Sequence, residues 1–406
     1  MPDVTEVRNP IRLSNLEKYL GDIPQDDKTT LGLPFHNFKP PFKIKQFKFG
    51  QSNPTYYLVD SKGKEFVLRR KPTSNAKLVS KSAHAIEREF FLLRGIGLLN
   101  QEQVDLSRKV PVPKVYILCE DESITGTVFY IMEYISGQQL KNPDMPEIEL
   151  EQDKQLYWES IMTTIAAIHH LNGEKLISHL PAKHFPQFQN VEKLKSSSYF
   201  KRQIRTLGGV HKGQLKVVEP IPDFDKICQW LDKNAPNDPA NLTLIHGDFK
   251  IDNILFNPRT KSVNTVLDWE LCTFGHPLFD LSNFLQPFQF PNHLNAMFFH
   301  PQKTDIGKEN PESYSLSMDK LKLYYEKYNE AWDPRDLSNN PIDLWLVGYV
   351  FGLLRLCVIS QGIAVRVEKG VASSGNAEAF AGLYPYLAEL AIEGMAQFDA
   401  QKKSKL

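Results

Sequence analysis

The apolar positions of the chain change period twice. Near the N-terminus Ile11, Leu13, Leu16 and Leu20 recur at helical spacing, and Ser14 followed by Glu17 predicts a capping box. A Pro-containing connector over 29–41 follows. From Phe42 the pattern becomes that of strands. Phe42, Ile44, Phe47 and Phe49 are broken by lysines, and residues 55–59 and 65–69 are β-branched and aromatic, with turns at 50–54 and 60–64. A helix over 82–99 places Ala85, Ile86, Phe90 and Leu93 on one side, and two more strands are expected at 115–118 and 127–134. The result is an antiparallel sheet of about five strands with one helix.

Beyond Gly137 helical spacing returns. Residues 157–171 and 321–332 are amphipathic, 344–367 are mostly apolar, and 377–398 form a last helix. The stretch 288–315, rich in Pro, Asn and His, reads as a long loop. Between these lies a β-rich island over 242–269. The apolar run 344–359 contains Arg355 and is short for a bilayer, so a buried helix and no membrane span are expected.

Composition narrows the classes. A chain of 406 residues suggests two or three folding units. Lys+Arg and Asp+Glu are both 48, which argues against binding nucleic acid by bulk charge. Hydrophobic residues at 41% and charged residues at 24% are ordinary globular usage and exclude a disordered chain. Cys119, Cys228, Cys272 and Cys357 form no CxxC pair and read as reduced packing residues, not disulfides or zinc ligands. Residues 1–10 are acidic and polar and carry no secretory signal. The chain ends Ser404-Lys405-Leu406, the address read by the peroxisomal import receptor, so that receptor is an expected partner and the peroxisome the expected location; without the address the expectation is cytoplasmic.

The island carries the chemistry. It reads His246-Gly247-Asp248, then Asn253 five residues after Asp248, then an apolar strand ending at Asp268. Phosphoryl transfer needs a carboxylate that orients a hydroxyl and accepts its proton, and Asp248 suits that role. It needs hard oxygen ligands for Mg²⁺, for which Asn253 and Asp268 are suited. Lys250 is placed to stabilise charge on the transferring group. Asp252 reads as a turn residue. Glu270 stays open between a group near the metal and a helix start.

These residues resemble the aminoglycoside phosphotransferase and choline kinase-like group, within it the kinase-like module joined to some acyl-CoA dehydrogenases. The resemblance covers about residues 25–385 and rests on the island, on 49–55, on Phe66-Val67-Leu68-Arg69-Arg70-Lys71-Pro72, on Leu267-Asp268-Trp269-Glu270-Leu271 and on 351–374. It implies an α+β, protein kinase-like two-lobed fold. A small antiparallel sheet lobe with one helix (41–136) would follow an N-terminal helix and connector (1–40). A larger, mainly helical lobe (137–400) would hold the catalytic island 242–270, and 401–406 would be the tail.

The resemblance also implies roles. Asp248 matches the catalytic base, and Asn253 and Asp268 the metal ligands. Gly50, Gln51, Ser52 and Asn53 match the loop over the ATP phosphates. Glu89 matches the carboxylate that pairs with the phosphate-binding cation, with Glu87 as rival, and Glu133 to Ile135 match the strand that holds adenine. The cation is Arg69 where many relatives use lysine, a fork in place of a point charge. His246 is expected to bond backbone, and Asp280 to anchor the loop from a helix. The absence of an A-P-E motif and of a long segment after Asp268 points to a small-molecule hydroxyl acceptor, not a protein. The implied activity is an ATP- and Mg²⁺-dependent phosphotransferase acting on a hydroxyacyl-CoA or related hydroxy acid. A catalytically silent nucleotide-binding partner of a peroxisomal enzyme, or a kinase for an unrelated small alcohol or aminoglycoside-like substrate, are the alternatives. Arg355, Arg366 and Lys369 are open between contacts with an anionic substrate and ordinary helix charges.

Overall fold

Residues 3–23, 38–48, 53–72, 85–299, 306–328, 340–372 and 377–404 are described by the structure, a computed structural model. The chain divides into two units, one made of Met1–Lys141, Ile148–Gln189 and Ile251–Cys272, the other of Asn142–Glu147, Asn190–Lys250 and Thr273–Leu406.

The first unit is built on a six-stranded antiparallel sheet. Its strands are β1 (Val4–Thr5), β2 (Lys43–Phe47), β3 (Thr55–Val59), β4 (Glu65–Arg70), β5 (Val115–Cys119) and β6 (Phe129–Glu133), in the order β1-β2-β3-β4-β6-β5. The extra edge strand is β1, which pairs Val4 with Phe47 and Thr5 with Gln46; two residues are too short for a periodic signal. The β3–β4 turn forms where Asp60 accepts from the backbone N–H groups of Lys62 and Lys64, each at 2.9 Å, and Gly63 takes φ +78°. Alternation sorts the side chains. Tyr56, Leu58, Phe66, Leu68, Phe129 and Ile131 are fully buried in one core with Leu16 and Leu20 of the Leu13–Asp22 helix. Truncating one of them, Leu58→Ala for example, costs about 2–5 kcal/mol. The expected capping box is absent: Arg12 holds the cap position without a side-chain bond, and Glu17 instead accepts from the Phe42 N–H at 2.7 Å.

The expected helix over 82–99 is found as Ile86–Glu102, three residues longer at its C-terminal end; residues 82–84 are outside the described residues. A second small sheet joins Gln138–Gln139, Ile254–Asn257 and Ser262–Val266. Gly137 makes this possible, because a Cβ there would meet Leu255 Cβ at 2.9 Å and the Phe256 carbonyl at 3.0 Å.

The second unit is mainly helical. Its long apolar helix, Trp345–Glu368, is long and apolar enough to cross a membrane, yet Val347, Val350, Leu353, Leu354 and Cys357 are buried within the unit. It runs against the Tyr199–Gln214, Leu278–Leu285 and Tyr384–Ser404 helices. The expected loop over 288–315 is corrected: Asn292–Phe299 is a helix, and another, Pro311–Tyr328, starts inside the stretch. Proline stands at its first position, where no N–H is needed, and Asn295 donates to the carbonyls of Pro287 and Ile306 at 2.8 and 3.1 Å. The four cysteines are free thiols. Lys405 and Leu406 lie outside the described residues, and Ser404 ends the last helix.

Candidate active site

In the sheet unit, β4 sends Phe66, Leu68 and Arg70 into the protein interior, which leaves Arg69 on the other face. There Arg69 Nη1 donates to Glu89 Oε1 at 2.5 Å and Nη2 donates to Asp268 Oδ1 at 3.0 Å. The Trp269 N–H donates to the same Glu89 oxygen at 3.3 Å. Glu89 is 2% exposed, so burial pushes its carboxyl up, while the Arg69 charge pulls it down. Burial works against the Arg69 charge too, but Glu89, Tyr130 and Asp268 outweigh it and hold the guanidinium more firmly protonated than usual. Glu87, the rival, pairs instead with Lys71. Two residues apart on a helix, the two carboxylates face different cations.

Asp268 adopts φ +66°, a left-handed conformation that costs a non-glycine residue energy and marks a constrained turn. The Leu267 N–H donates to the Asn253 carbonyl at 2.8 Å, which lays the Asp268 turn beside the Ile251–Asn253 turn. Asn53, fully buried, donates from Nδ2 to Glu270 Oε2 at 3.1 Å. Gly50, Gln51 and Ser52 lie outside the described residues. Arg69, Glu89, Asn253 and Asp268 all line one cleft of about 470 Å³. Its apolar lining includes Val67, Met132 and Leu255, and Glu133 to Ile135 form part of its wall.

The second set of residues belongs to the helical unit. His246 and Gly247 donate their backbone N–H groups to the two oxygens of Asp280, at 2.7 and 2.9 Å, and Asp280 is fully buried on the Leu278–Leu285 helix. The Asp248 N–H donates to His246 Nδ1 at 3.2 Å, so His246 bonds the backbone of the loop. Gly247 takes φ +84°, which an L side chain rarely adopts. On the carbonyl side, Arg355 Nη2 donates to the Gly247 oxygen at 3.3 Å, and Asn283 Nδ2 donates to the Phe249 oxygen at 3.0 Å. Asp248 itself is paired with Lys250 at 3.2 Å. Sequence reasoning missed Asn283 and left Arg355 open. The signals were there: Asn283 stands three residues after Asp280 on one helix face, and Arg355 is the lone charge in an apolar run.

Asn253 and Asp268 supply hard oxygen donors to one cleft, which suits Mg²⁺. Among the described residues no group of three or more His, Cys, Asp or Glu could hold a metal alone. Two protein ligands completed by phosphate oxygens and water are the usual way such a site holds Mg²⁺.

Comparison with known proteins bears on the family and the fold. The profile of the phosphotransferase enzyme family matches residues 43–314. Acyl-CoA dehydrogenase family member 10 of Mus musculus is 32% identical over 371 residues, 91% of this chain and 31% of that protein. The chain therefore spans about a third of the length of that relative. The crystal structure of a candidate aminoglycoside phosphotransferase from Ralstonia eutropha is 28% identical, with a TM-score of 0.69 over 96% of this chain and 99% of that one. A thermostable variant of an aminoglycoside phosphotransferase, solved with ADP and hygromycin B, shares the fold at 14% identity and a TM-score of 0.50, over 87% of this chain and 94% of that one. The kinase-like fold, with a sheet-based unit and a mainly helical one, is thus established, and the chain belongs to the phosphotransferase enzyme family.

Proposed function

We propose that this small-molecule phosphotransferase moves the γ-phosphoryl group of ATP to a hydroxyl of a hydroxyacyl-CoA or related hydroxy acid. The observation that carries the transfer reaction is the joining of Arg69, Glu89, Asn253 and Asp268 in one cleft. The acceptor class is supported by a relative named as an acyl-CoA dehydrogenase family member. Use of ATP is supported by the ADP held by a protein of the same fold.

In this reading the acceptor oxygen forms the new bond to the γ-phosphorus while the bond to the β-phosphate oxygen breaks, and ADP leaves. Asp248 takes the hydroxyl proton. Lys250, 3.2 Å from it, offsets charge on the transferring group. Arg69, oriented by Glu89, takes the nucleotide phosphates as a fork. The backbone of Glu133 and Ile135 holds adenine beside Val67 and Met132, which line the same cleft. Asn253 and Asp268 would hold Mg²⁺, which when bound neutralises phosphate charge.

The test is incubation of the protein with ATP, Mg²⁺ and a panel of hydroxylated acyl-CoAs and free hydroxy acids, read by mass. One class gains a single phosphate with the wild-type chain and none with Asp248→Asn. If no hydroxy compound gains phosphate, the reading is wrong, and ATP binding without turnover would favour the silent partner. Import through Ser404, Lys405 and Leu406 is a separate proposal. A tagged protein lacking them shifts to the cytosol if it holds, and does not redistribute if it fails.

A further inference from the structure

The loop that carries Asp248 is gripped from both faces of its backbone. Its amide side is held by Asp280, as described above. Its carbonyl side is held from a helix more than a hundred residues away in sequence. Arg355 on the Trp345–Glu368 helix donates from Nη1 to Asn283 Oδ1 at 2.8 Å and from Nη2 to the Gly247 oxygen at 3.3 Å. Its guanidinium also lies over the Phe279 ring, 5.0 Å from the centroid. Asn283, fixed by that first bond, passes the restraint to the Phe249 oxygen at 3.0 Å. The carbonyls on either side of Asp248 are therefore restrained by one cation, directly at Gly247 and through Asn283 at Phe249.

The arrangement has a physical purpose. Gly247 sits at φ +84°, where glycine has many accessible conformations and little intrinsic preference for one. A loop built on such a residue stays in place only if its neighbours over-determine it. A planar fork does this well. It engages two acceptors at a fixed angle and stacks on an aromatic face, whereas an ammonium holds no fixed fork.

We propose that Arg355 is a positioning residue for phosphoryl transfer, fixing the loop so that the Asp248 carboxylate meets the acceptor hydroxyl. This rests on Asp248 being the base, as proposed above. It replaces the view of Arg355 as a contact for an anionic substrate, because one end of its guanidinium is engaged by Asn283 and the other by the Gly247 oxygen.

The test compares Arg355→Met, Arg355→Lys, Asn283→Ala and the double variant Arg355→Met/Asn283→Ala, with Asp248→Asn as control. Misplacing a reacting group by about 1 Å can cost on the order of 100-fold, so kcat is expected to fall about 10- to 100-fold in Arg355→Met. KM for ATP and for the acceptor stays within about twofold, and Arg355→Lys recovers only part of the loss. The double variant loses no more than the worse single one, because the two residues act as one restraint. Amide hydrogen exchange of 244–250 speeds up in Arg355→Met while the rest of the helical unit keeps its protection, a readout that needs no activity. Unchanged kcat with a raised acceptor KM would make Arg355 a substrate contact and overturn the proposal, as would unchanged exchange in the loop. If Asp248→Asn keeps full turnover, the base assignment fails instead; if it is inactive while Arg355→Met is normal, only the positioning role fails.

Discussion

The candidate residues of the sheet unit and those of the helical unit are held by different kinds of bond. Around the sheet-unit cleft, order comes from side-chain charges: Arg69 bridges Glu89 and Asp268. Around the Asp248 loop, order comes from the backbone, whose amides face Asp280 and whose carbonyls face Arg355 and Asn283. The contrast matches the work proposed for each. A cleft that receives polyanionic phosphates and a metal gains from charges that can exchange one partner for another. Arg69 is satisfied by Asp268 here, and a phosphate can take its place on the fork. A base must hold one position to within a fraction of an ångström, and bonds to the main chain restrain it without occupying its carboxylate.

That comparison can be broken most directly at the metal. Chelating divalent cations should abolish phosphate transfer, by about 1,000-fold or more, and Mg²⁺ should restore it. Full turnover in excess chelator would remove the role assigned to Asn253 and Asp268.

The next largest effect is on the charged half. Arg69→Met strips the buried Glu89 of its cation and should destabilise the fold by about 3–5 kcal/mol, read by denaturant unfolding. It also carries a pH signature. Burial raises the folded pKa of Glu89, so the folded state holds its proton more tightly than the unfolded chain. Such a group makes stability fall as pH rises from the ordinary carboxylate range through the raised folded value, and rise on acidification. Without Arg69 the folded value climbs further. The variant should therefore recover stability relative to wild type as the pH drops from about 8 to about 5.5. A pH-independent difference would mean that Glu89 and Arg69 are not coupled in this way.

The backbone-held half should respond to shape, not to charge. Gly247→Ala places a side chain at φ +84° and should cost about 1–2 kcal/mol of stability, measured by thermal unfolding, with no change in its pH dependence. The smallest effect separates two neighbours in sequence. Glu89→Gln should weaken ATP binding, whereas Glu87→Gln, whose partner is Lys71, should leave the Kd within about twofold of wild type by titration calorimetry. Equal losses would show that the distinction between the two carboxylates carries no functional weight.

Legibility in the sequence followed the same divide. Asn253 and Asp268 were readable as oxygen donors from the local pattern of the island, and Arg69 and Glu89 only from the family resemblance. The choice between Glu87 and Glu89 was not readable, because it depends on which face of the helix turns toward β4. The clamp on the Asp248 loop was hidden for a stronger reason: Arg355 bonds an oxygen 108 residues away, and no local pattern encodes such a distance. Secondary structure was lost where composition misled. Pro311 and the asparagines of 288–315 read as loop formers, yet proline opens a helix there and Asn295 ties two carbonyls together. Ser14 and Glu17 had the spacing of a capping box, and tertiary structure drew Glu17 to the Phe42 amide instead.

The central claim is that Asp248 is the base of an ATP-dependent transfer to a hydroxyl. The most direct measurement is a single-turnover assay with γ-labelled ATP and Mg²⁺, run side by side on the wild type and Asp248→Asn with an acceptor identified by the mass screen. The account predicts labelled acceptor from the wild type and a rate at least about 1,000-fold lower from the variant, with ATP affinity unchanged. Equal rates of label transfer from the two proteins would contradict it.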